Sequence, residues 1–514
     1  MIFFLIVASS LAIYSNVLSG RFIWDDERQI RDNRTLTSWS FLPQIFSKNI
    51  TAGADSDCDF YRPLQILSYR LDYSLWKLDV TGYHLTSVLL HALAAWAFFC
   101  LVELWFADSL LAFFSSFLFL THPVHTEAVA YMSGRADLLA VLFILLSLWS
   151  DARKKTLWMI FFYVAALLSK ESALIFPGLL WASGHFALKK KRLFSDFLPV
   201  LFTTAVYLAL RLTVLVPIHF SGEAASFLKR APGIFAALWG YTGAVLWPWA
   251  GLHMEYGTRF FSWRDPGVWA GLSIFALVIF ALTRACYGRS GPETKRVAAF
   301  GLAWFLTAWL PISGVLPLYA FMAEHWLYLP SLGLFLLAGL GLSKIYGKKS
   351  LRILTMTLFG GIVLLFSFLT IRQNLYWSDP AHFARTTLKY APDSYRSEYT
   401  LGLYYGAIGR KAEAAAHYER AFTLNPGYTE AYYNLGNLLA SVHEDQRAVY
   451  YYLRAVAANP RYVWAYNNLG NTYSRLGQSQ NALKAYQKCL ELDPANEIVL
   501  KNFQAEILSA KQKS

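Results

Sequence analysis

With 514 residues, 56% of them hydrophobic, 17% aromatic and 15% charged, the chain is too apolar for an ordinary soluble domain and reads as a polytopic membrane protein carrying a polar appendage. Its net charge of +13 would suggest nucleic acid in a soluble protein, but the surplus sits in short loops between apolar stretches, which makes it a topology signal and excludes nucleic acid as a partner. Cys58, Cys100, Cys286 and Cys489 fall singly, with no CxxC pair, so neither a disulfide framework nor a zinc site is expected.

The chain opens on "MIFFLIVASSLAIYSNVLSG", which lacks a basic flank and is read as a first span instead of a cleaved signal peptide. Apolar runs recur to about residue 371. At roughly 20 apolar residues per crossing, with several shorter, about eleven spans are expected, near 2–19, 83–105, 109–121, 137–150, 157–169, 172–188, 196–216, 268–283, 297–310, 325–343 and 352–371. Basic residues mark alternate loops: Arg153 to Lys155; Lys189 to Arg192; Arg284, Arg289, Lys295 and Arg296; Lys344, Lys348, Lys349 and Arg352. These are the cytoplasmic loops. The loop at 20–82 and everything beyond residue 371 then lie outside. The segment 232–250 is apolar enough to cross, but crossing would invert all that follows, so it is read as a re-entrant or interfacial helix on the outer side.

Beyond Trp377 the composition turns polar and helix-forming. Gly402, Gly436 and Gly470 recur every 34 residues, as do Ala414, Ala448 and Ala482, Tyr418, Tyr452 and Tyr486, and Pro426, Pro460 and Pro494. Small residues where paired helices touch, an aromatic wedge between them and a closing proline form the tetratricopeptide pattern. The fold class is therefore all-α: a membrane helical domain over 1–377, a linking or capping helix over 378–394, repeats over 395–428, 429–462 and 463–496, and a closing helix over 497–514.

Polar clusters at the span ends fall on the outer side. Asp25 and Asp26 follow the first span, Arg62 lies in "DFYRPLQ", and His125, Glu127, Arg135 and Asp137 lie in "THPVHTEAVAYMSGRADLLA". Lys170 and Glu171 interrupt "LLSKESALIFPG", and Glu324, His325 and Tyr328 open the tenth span. Ionisable groups at the hydrocarbon edge are costly unless paired or hydrated, so they collect where a function or an ion pair compensates them. Lys170 either holds a lipid phosphate, pairs with Glu171 in a turn, or snorkels. Arg135 and Asp137 read as an ion pair capping the fourth span, and His91 as an interhelical hydrogen-bonding histidine. His125 and Glu127 lack a third metal ligand, so no metal is assigned. Taken alone, Asp25 and Asp26 are as compatible with helix capping as with chemistry.

Read together and in order, "FIWDDERQIRDN", "YRPLQILSYRLD", "GYHLTSVLLHA", "HPVHTEAVAYMSGRADLLA", "LLSKESALIFP", "AEHWLYLPSLG" and the repeats resemble the transmembrane and tetratricopeptide repeat-containing O-mannosyltransferases and their bacterial relatives, within the GT-C class of polyprenyl-phosphate-sugar glycosyltransferases. The resemblance implies that Asp25, Asp26 or both activate an acceptor hydroxyl. It also implies that Arg62, Arg135 or Lys170 stabilises a leaving lipid phosphate, with His125, Glu127, Asp137, Glu171, Glu324, His325 and Tyr328 lining the polar cavity. The implied donor is a polyprenyl-phosphate sugar, mannose by the family's name, with no further cofactor. The implied partners are that lipid, membrane lipids and an acceptor protein or peptide in the repeat groove. Where the family reads Ala-Glu-Arg, this chain has His325 after Glu324, and histidine is only partly charged near neutrality. Asn434, Asn437, Asn468 and Asn471 either bond an extended acceptor backbone or merely solvate the groove. A non-catalytic membrane-anchored scaffold and a transferase acting on lipid or glycan acceptors are the alternatives. Compact length favours a bacterial inner membrane with periplasmic repeats, and the sequons at Asn33 and Asn49 an endoplasmic reticulum membrane.

Overall fold

A computed structural model describes residues 1–54, 58, 60–214, 227–256, 261–288, 291–316, 318 and 320–513, with side chains to 510. Arg289, residues 215–216 of the span expected at 196–216 and the last residue of the closing helix lie outside the described residues. Two compact units divide the chain, Met1–Asp379 and Pro380–Ser514, and the described residues are helical with no strand.

The first unit contains α1 (Ile2–Ile13), α2 (Pro63–Trp76), α3 (Val80–Phe106), α4 (Ser109–Thr121), α5 (Arg135–Ala152), α6 (Thr156–Ser169) and α7 (Phe176–Ala182). It continues with α8 (Phe194–Val214), α9 (Phe227–Leu246), α10 (Pro266–Tyr287), α11 (Pro292–Trp309), α12 (Ser331–Tyr346) and α13 (Arg352–Asn374). Five helical stretches, Val80–Phe106, Met132–Ala152, Phe194–Val214, Pro266–Tyr287 and Lys349–Trp377, are long and apolar enough to cross a membrane on their own, so the protein is a membrane protein. Four more expected spans appear as apolar helices of only 12 to 16 residues. Local chemistry cuts them short. Ala107, left-handed at φ 50°, ends α3, and Asp108 caps α4 by accepting from the N–H groups of Leu110 and Leu111. Pro123 follows α4 at once, and Lys170 ends α6 in an extended conformation.

Side-chain bonds fix which helix ends lie together. Asn374 Nδ2 donates to Ile13 O (3.0 Å), Thr370 Oγ1 to Thr121 O (2.8 Å), Arg135 Nη2 to Tyr83 O (2.7 Å) and Trp304 Nε1 to Leu329 O (2.9 Å). One end of the unit therefore gathers the C-termini of α1, α4, α11 and α13 with the N-termini of α3, α5 and α12. The basic loops meet at the other end, where Arg192 pairs with Asp151 (2.5 Å), Lys189 with Glu293 (3.6 Å) and Arg296 bonds Ala187 O and Trp105 O (2.5 Å each). α9 does not run between these ends. Arg230 near its start bonds Gly314 O (2.7 Å) just past α11, and Val245 O near its finish accepts from His122 (2.9 Å) just past α4. A 20-residue helix is about 30 Å long. Both extremities of α9 are thus held at the same end of the bundle.

The second unit is a solenoid of α14 (Pro380–Tyr390), α15 (Tyr395–Ala407), α16 (Lys411–Leu424), α17 (Thr429–Ala440), α18 (Asp445–Ala458), α19 (Val463–Arg475), α20 (Ser479–Leu492) and α21 (Glu497–Lys513). α14 caps the stack by burying Ala381 and Ala384 against Leu401. The period-34 residues form one contact repeated three times. A Cβ added to Gly402, Gly436 or Gly470 would stand 2.5, 2.6 or 2.5 Å from the ring of Tyr418, Tyr452 or Tyr486. Each glycine is thus the floor on which the next helix's tyrosine rests, and Ala414, Ala448 and Ala482 are fully buried beside them.

Gly436→Val should overpack that contact and destabilise the solenoid by about 1–3 kcal/mol, lowering its thermal midpoint with secondary structure retained. An unchanged midpoint would contradict the packing described.

Candidate functional site

The turn after α1 separates the two adjacent acids. Trp24 takes a left-handed φ of 49°, a strained conformation for a bulky residue. The turn sends Asp26 inward, where it is 1% exposed, and leaves Asp25 exposed. Asp26 Oδ1 accepts from Ser133 N (2.8 Å) and Ser133 Oγ (2.6 Å), and Oδ2 from Ile23 N (3.2 Å). Burial pushes the Asp26 carboxyl up to about 7, against the lowering pull of those bonds. The Asp25 N–H donates to Tyr131 Oη (3.2 Å), and the Tyr131 ring stacks on Trp377 at 5.2 Å. Beneath them Gln65 Nε2 reaches Ser133 O (3.0 Å), Gln29 Oε1 (3.1 Å) and Tyr69 Oη (3.0 Å), fixing the segment that holds Asp26.

Every expected cation at this end meets a carboxylate, with partners the sequence order does not suggest. Arg135 does not pair with Asp137. It bonds Asp72 (2.5 Å), Ser68, Ser87 and Tyr83 O, lies over the Tyr69 ring and is 0% exposed. A guanidinium so enclosed cannot touch a ligand phosphate, which corrects that expectation. Lys170 does not turn back on Glu171. Its ammonium bonds both oxygens of Asp137 (2.7 and 2.6 Å), while Glu171 takes a bidentate bond from Arg62 (3.0 and 2.6 Å). Arg62 keeps the most exposed side chain of the three cations, at 12%. Ser133 grips Asp26 and Asp137 grips Lys170 four residues apart, so the acid pair and the lysine occupy the same end of the unit.

His325 binds a fully buried carboxylate. Its Nδ1 meets Glu127 Oε1 (2.7 Å) and its backbone N–H donates to Oε2 (2.9 Å). Adjacent Glu324 accepts from His253 N (2.6 Å) and Tyr256 Oη (2.5 Å), and burial, with Glu127 adding to it, holds its carboxyl well above the usual range. Tyr328 Oη meets His91 Nδ1 (2.7 Å), whose Nε2 meets Leu120 O (3.0 Å), the interhelical role expected of that histidine. His125 is fully buried among the rings of Phe119, Tyr328 and His91, at 4.6, 4.9 and 5.8 Å, and neither of its ring nitrogens has a hydrogen-bond partner among the described residues. No group of three or more His, Cys, Asp or Glu side chains suited to a metal occurs among the described residues.

In the solenoid the asparagines bond one another. Asn468 Nδ2 donates to Asn437 Oδ1 (2.8 Å), which also accepts from Tyr452 Oη (2.7 Å). Asn471 Oδ1 likewise accepts from Tyr486 Oη (2.7 Å) and Asn502 Nδ2 (3.2 Å), and Asn434 Nδ2 donates to Tyr399 Oη (2.7 Å). The tyrosines fix the amides of Asn437 and Asn471 through their oxygens, and the NH2 groups of both make no hydrogen bond among the described residues. The sequons prove to be turns. Asn33 Oδ1 accepts from the N–H and hydroxyl of Thr35 (3.0 and 2.6 Å) and Asn49 Oδ1 from those of Thr51 (3.0 and 3.2 Å). Asn33, 3% exposed with its amide spent on Gln29 O and Ile50 O, is closed to modification in the folded chain.

Sequence reasoning missed Ser133, Tyr131, Gln65, His253, Tyr256 and Trp377. Ser133 and Tyr131 lay inside a motif already singled out. His253 and Tyr256 gave no signal, because their role comes from a loop pinned elsewhere by Gln373 bonding Leu252 O (2.9 Å) and by Tyr376 Oη accepting from Met254 N (3.2 Å).

Tetratricopeptide repeat models match residues 399–463 and 463–496. The protein O-mannosyl-transferase F38B6.6 of Caenorhabditis elegans is 27% identical over 449 residues, 83% of this chain and 63% of that protein. The protein O-mannosyl-transferase Tmtc1 of Drosophila melanogaster is 27% identical over 530 residues, 83% of this chain and 62% of that one. The protein O-mannosyl-transferase TMTC2 of Homo sapiens is 40% identical over 146 residues, 27% of this chain and 17% of that one. The chain thus spans less than two thirds of the length of each of these relatives. Among solved structures, a crystal structure of MamA protein aligns with 24% of this chain and 69% of its own at 28% identity, with a TM-score of 0.23.

Two outcomes test the geometry. Arg135→Met strands Asp72 in the interior and should cost about 3–5 kcal/mol, read as a lowered thermal midpoint; a merely ligand-binding arginine would leave it unmoved. Asp26 holds its proton more tightly folded than unfolded, so its contribution favours the fold at low pH and is lost as pH rises through about 7. Asp26→Asn should therefore flatten the decline in thermal midpoint between pH 5 and 8, and parallel curves for variant and wild type would refute the burial argument.

Proposed function

We infer, for a relative of the transmembrane and tetratricopeptide repeat-containing protein O-mannosyl-transferases, that this protein moves a sugar, mannose in this reading, from a polyprenyl-phosphate donor to Ser or Thr hydroxyls of proteins. The reaction runs on the exoplasmic side, with the solenoid in the same compartment, the periplasm of a bacterial inner membrane.

The observation that carries the reading is the division of labour between the two acids. Asp26 is buried, triply hydrogen-bonded and held near neutrality, so it anchors the turn. Asp25 is the exposed carboxylate on that rigid turn and serves as the general base. It takes the proton of the acceptor hydroxyl while that oxygen bonds to the anomeric carbon. The bond from that carbon to the phosphate oxygen breaks with inversion, and the lipid phosphate leaves with the electron pair. Arg62 is the cation placed to meet that phosphate by trading one Glu171 oxygen for it, with Lys170 and Asp137 behind as the fixed charge pair. Arg135 positions the segment carrying Ser133. The NH2 groups of Asn437 and Asn471, one repeat apart, bond carbonyls of an extended acceptor without reading its side chains.

Asp25→Asn should lower transfer about 100-fold or more, while Asp26→Asn acts chiefly through stability. Transfer measured with a polyprenyl-phosphate-sugar donor and a Ser/Thr peptide decides this, and an unimpaired Asp25→Asn enzyme would refute the base assignment. Asn437→Ala with Asn471→Ala should raise KM for the peptide several-fold at unchanged kcat; an unmoved KM removes the asparagines from acceptor binding.

A further inference from the structure

A general base must be held firmly while it stays exposed, and Asp25 sits on a turn whose backbone is strained at Trp24. Contacts from outside the turn have to hold it there. Ser133 grips Asp26, one residue past the base. The backbone of Asp25 itself is held by a different residue, for its N–H donates to the Tyr131 hydroxyl (3.2 Å), 106 residues further along the chain.

Tyr131 is fixed in turn. Its ring, 5% exposed, lies nearly parallel to the Trp377 indole, with 5.2 Å between centroids and 22° between planes. Trp377 is 1% exposed and meets the Tyr376 ring edge-on at 4.9 Å, and the Tyr376 hydroxyl accepts from Met254 N (3.2 Å). Two buried rings in a stack leave the phenol oxygen little freedom to move. Burial, with Asp25 and Asp26 adding to it, holds the Tyr131 hydroxyl well above the usual tyrosine range, so the phenol does not compete as a base. What it offers is a fixed acceptor.

The same helix end also reaches the other flank of the turn. Asn374 Nδ2 donates to Ile13 O (3.0 Å) and Asn16 Oδ1 (2.8 Å), and Asn16 Nδ2 donates back to Ile371 O (2.8 Å). The end of α13 therefore holds the chain just ahead of the acids and, through Trp377 and Tyr131, holds it again at the base.

We propose that Tyr131 is a positioning residue for the base: its hydroxyl, steadied by the stack on Trp377, fixes the backbone at Asp25 so that the carboxylate meets the acceptor hydroxyl. This role rests on Asp25 being the base, as assigned above. Tyr131 touches neither donor nor acceptor in it, so its loss slows the chemical step and leaves substrate affinity alone.

Tyr131→Phe removes the hydroxyl and keeps the ring. In full-length protein given a polyprenyl-phosphate-sugar donor and a Ser/Thr peptide, it should lower kcat about 10- to 100-fold with KM for both substrates unchanged. Trp377→Leu should lower kcat likewise, and Trp377→Phe, which keeps a ring for the stack, should restore most of it. Placed in Asp25→Asn, Tyr131→Phe should cause no further loss, because it acts only through that carboxylate. Wild-type kcat in Tyr131→Phe overturns the proposal, and so does the same fold-loss in the Asp25→Asn background, since a merely structural tyrosine would slow both enzymes equally. If Asp25→Asn transfers at the wild-type rate, the base assignment falls and the role of Tyr131 with it. If Asp25→Asn is impaired while Tyr131→Phe is intact, only the role of Tyr131 falls.

Discussion

Charge pairing at the edge of a low-dielectric slab is the constraint on which this structure depends. Where several helices end together at the hydrocarbon boundary, each ionised group must meet an opposite one or pay desolvation. Arg135 with Asp72, Lys170 with Asp137, Arg62 with Glu171 and His325 with Glu127 answer that demand. Each pair also ties together parts of the chain far apart in sequence: α5 to α2, α6 to α5, the segment after α6 to the loop before α2, and the turn before α12 to the segment after α4. The polar end is therefore a cross-linked frame.

That frame gives the two adjacent acids different chemistry. Identical side chains one residue apart would be equivalent in water, but the left-handed turn at Trp24 aims one at Ser133 and the other at solvent. The buried carboxylate is paid for in strain and in a raised affinity for protons, and in return it locks the turn. A free carboxylate on a locked turn is what a general base requires, since a loosely held one would lose the geometric advantage of proximity. His325 reaches Glu127 with both its ring and its own backbone N–H.

The solenoid solves a simpler problem with one device repeated. A glycine lets a tyrosine ring approach the preceding helix, and the hydroxyl of that tyrosine then orients an asparagine of the same helix in two of the repeats, at Tyr452 with Asn437 and Tyr486 with Asn471. Packing and polar display are thus set by the same side chain. In the first repeat the asparagine position is Leu403, so the bonded ladder starts one repeat later.

The sequence by itself determined the all-helical class, a division near Trp377, the period-34 solenoid and the gathering of polar segments at one end. These follow from apolar run length, spacing and loop charge, which are local or periodic quantities. Span length was less legible, because caps and breakers such as Asp108, Pro123 and Lys170 trimmed helices inside apolar runs. Only the tertiary structure decided which charge meets which: Arg135 passes over Asp137 for Asp72, 63 residues away, and Lys170 passes over Glu171 for Asp137. It alone separated Asp25 from Asp26, enlisted Ser133, His253 and Tyr256, and turned the sequons into buried or capped turns. Pairing depends on distances across the bundle, and a one-dimensional pattern carries the identity of the charges without those distances.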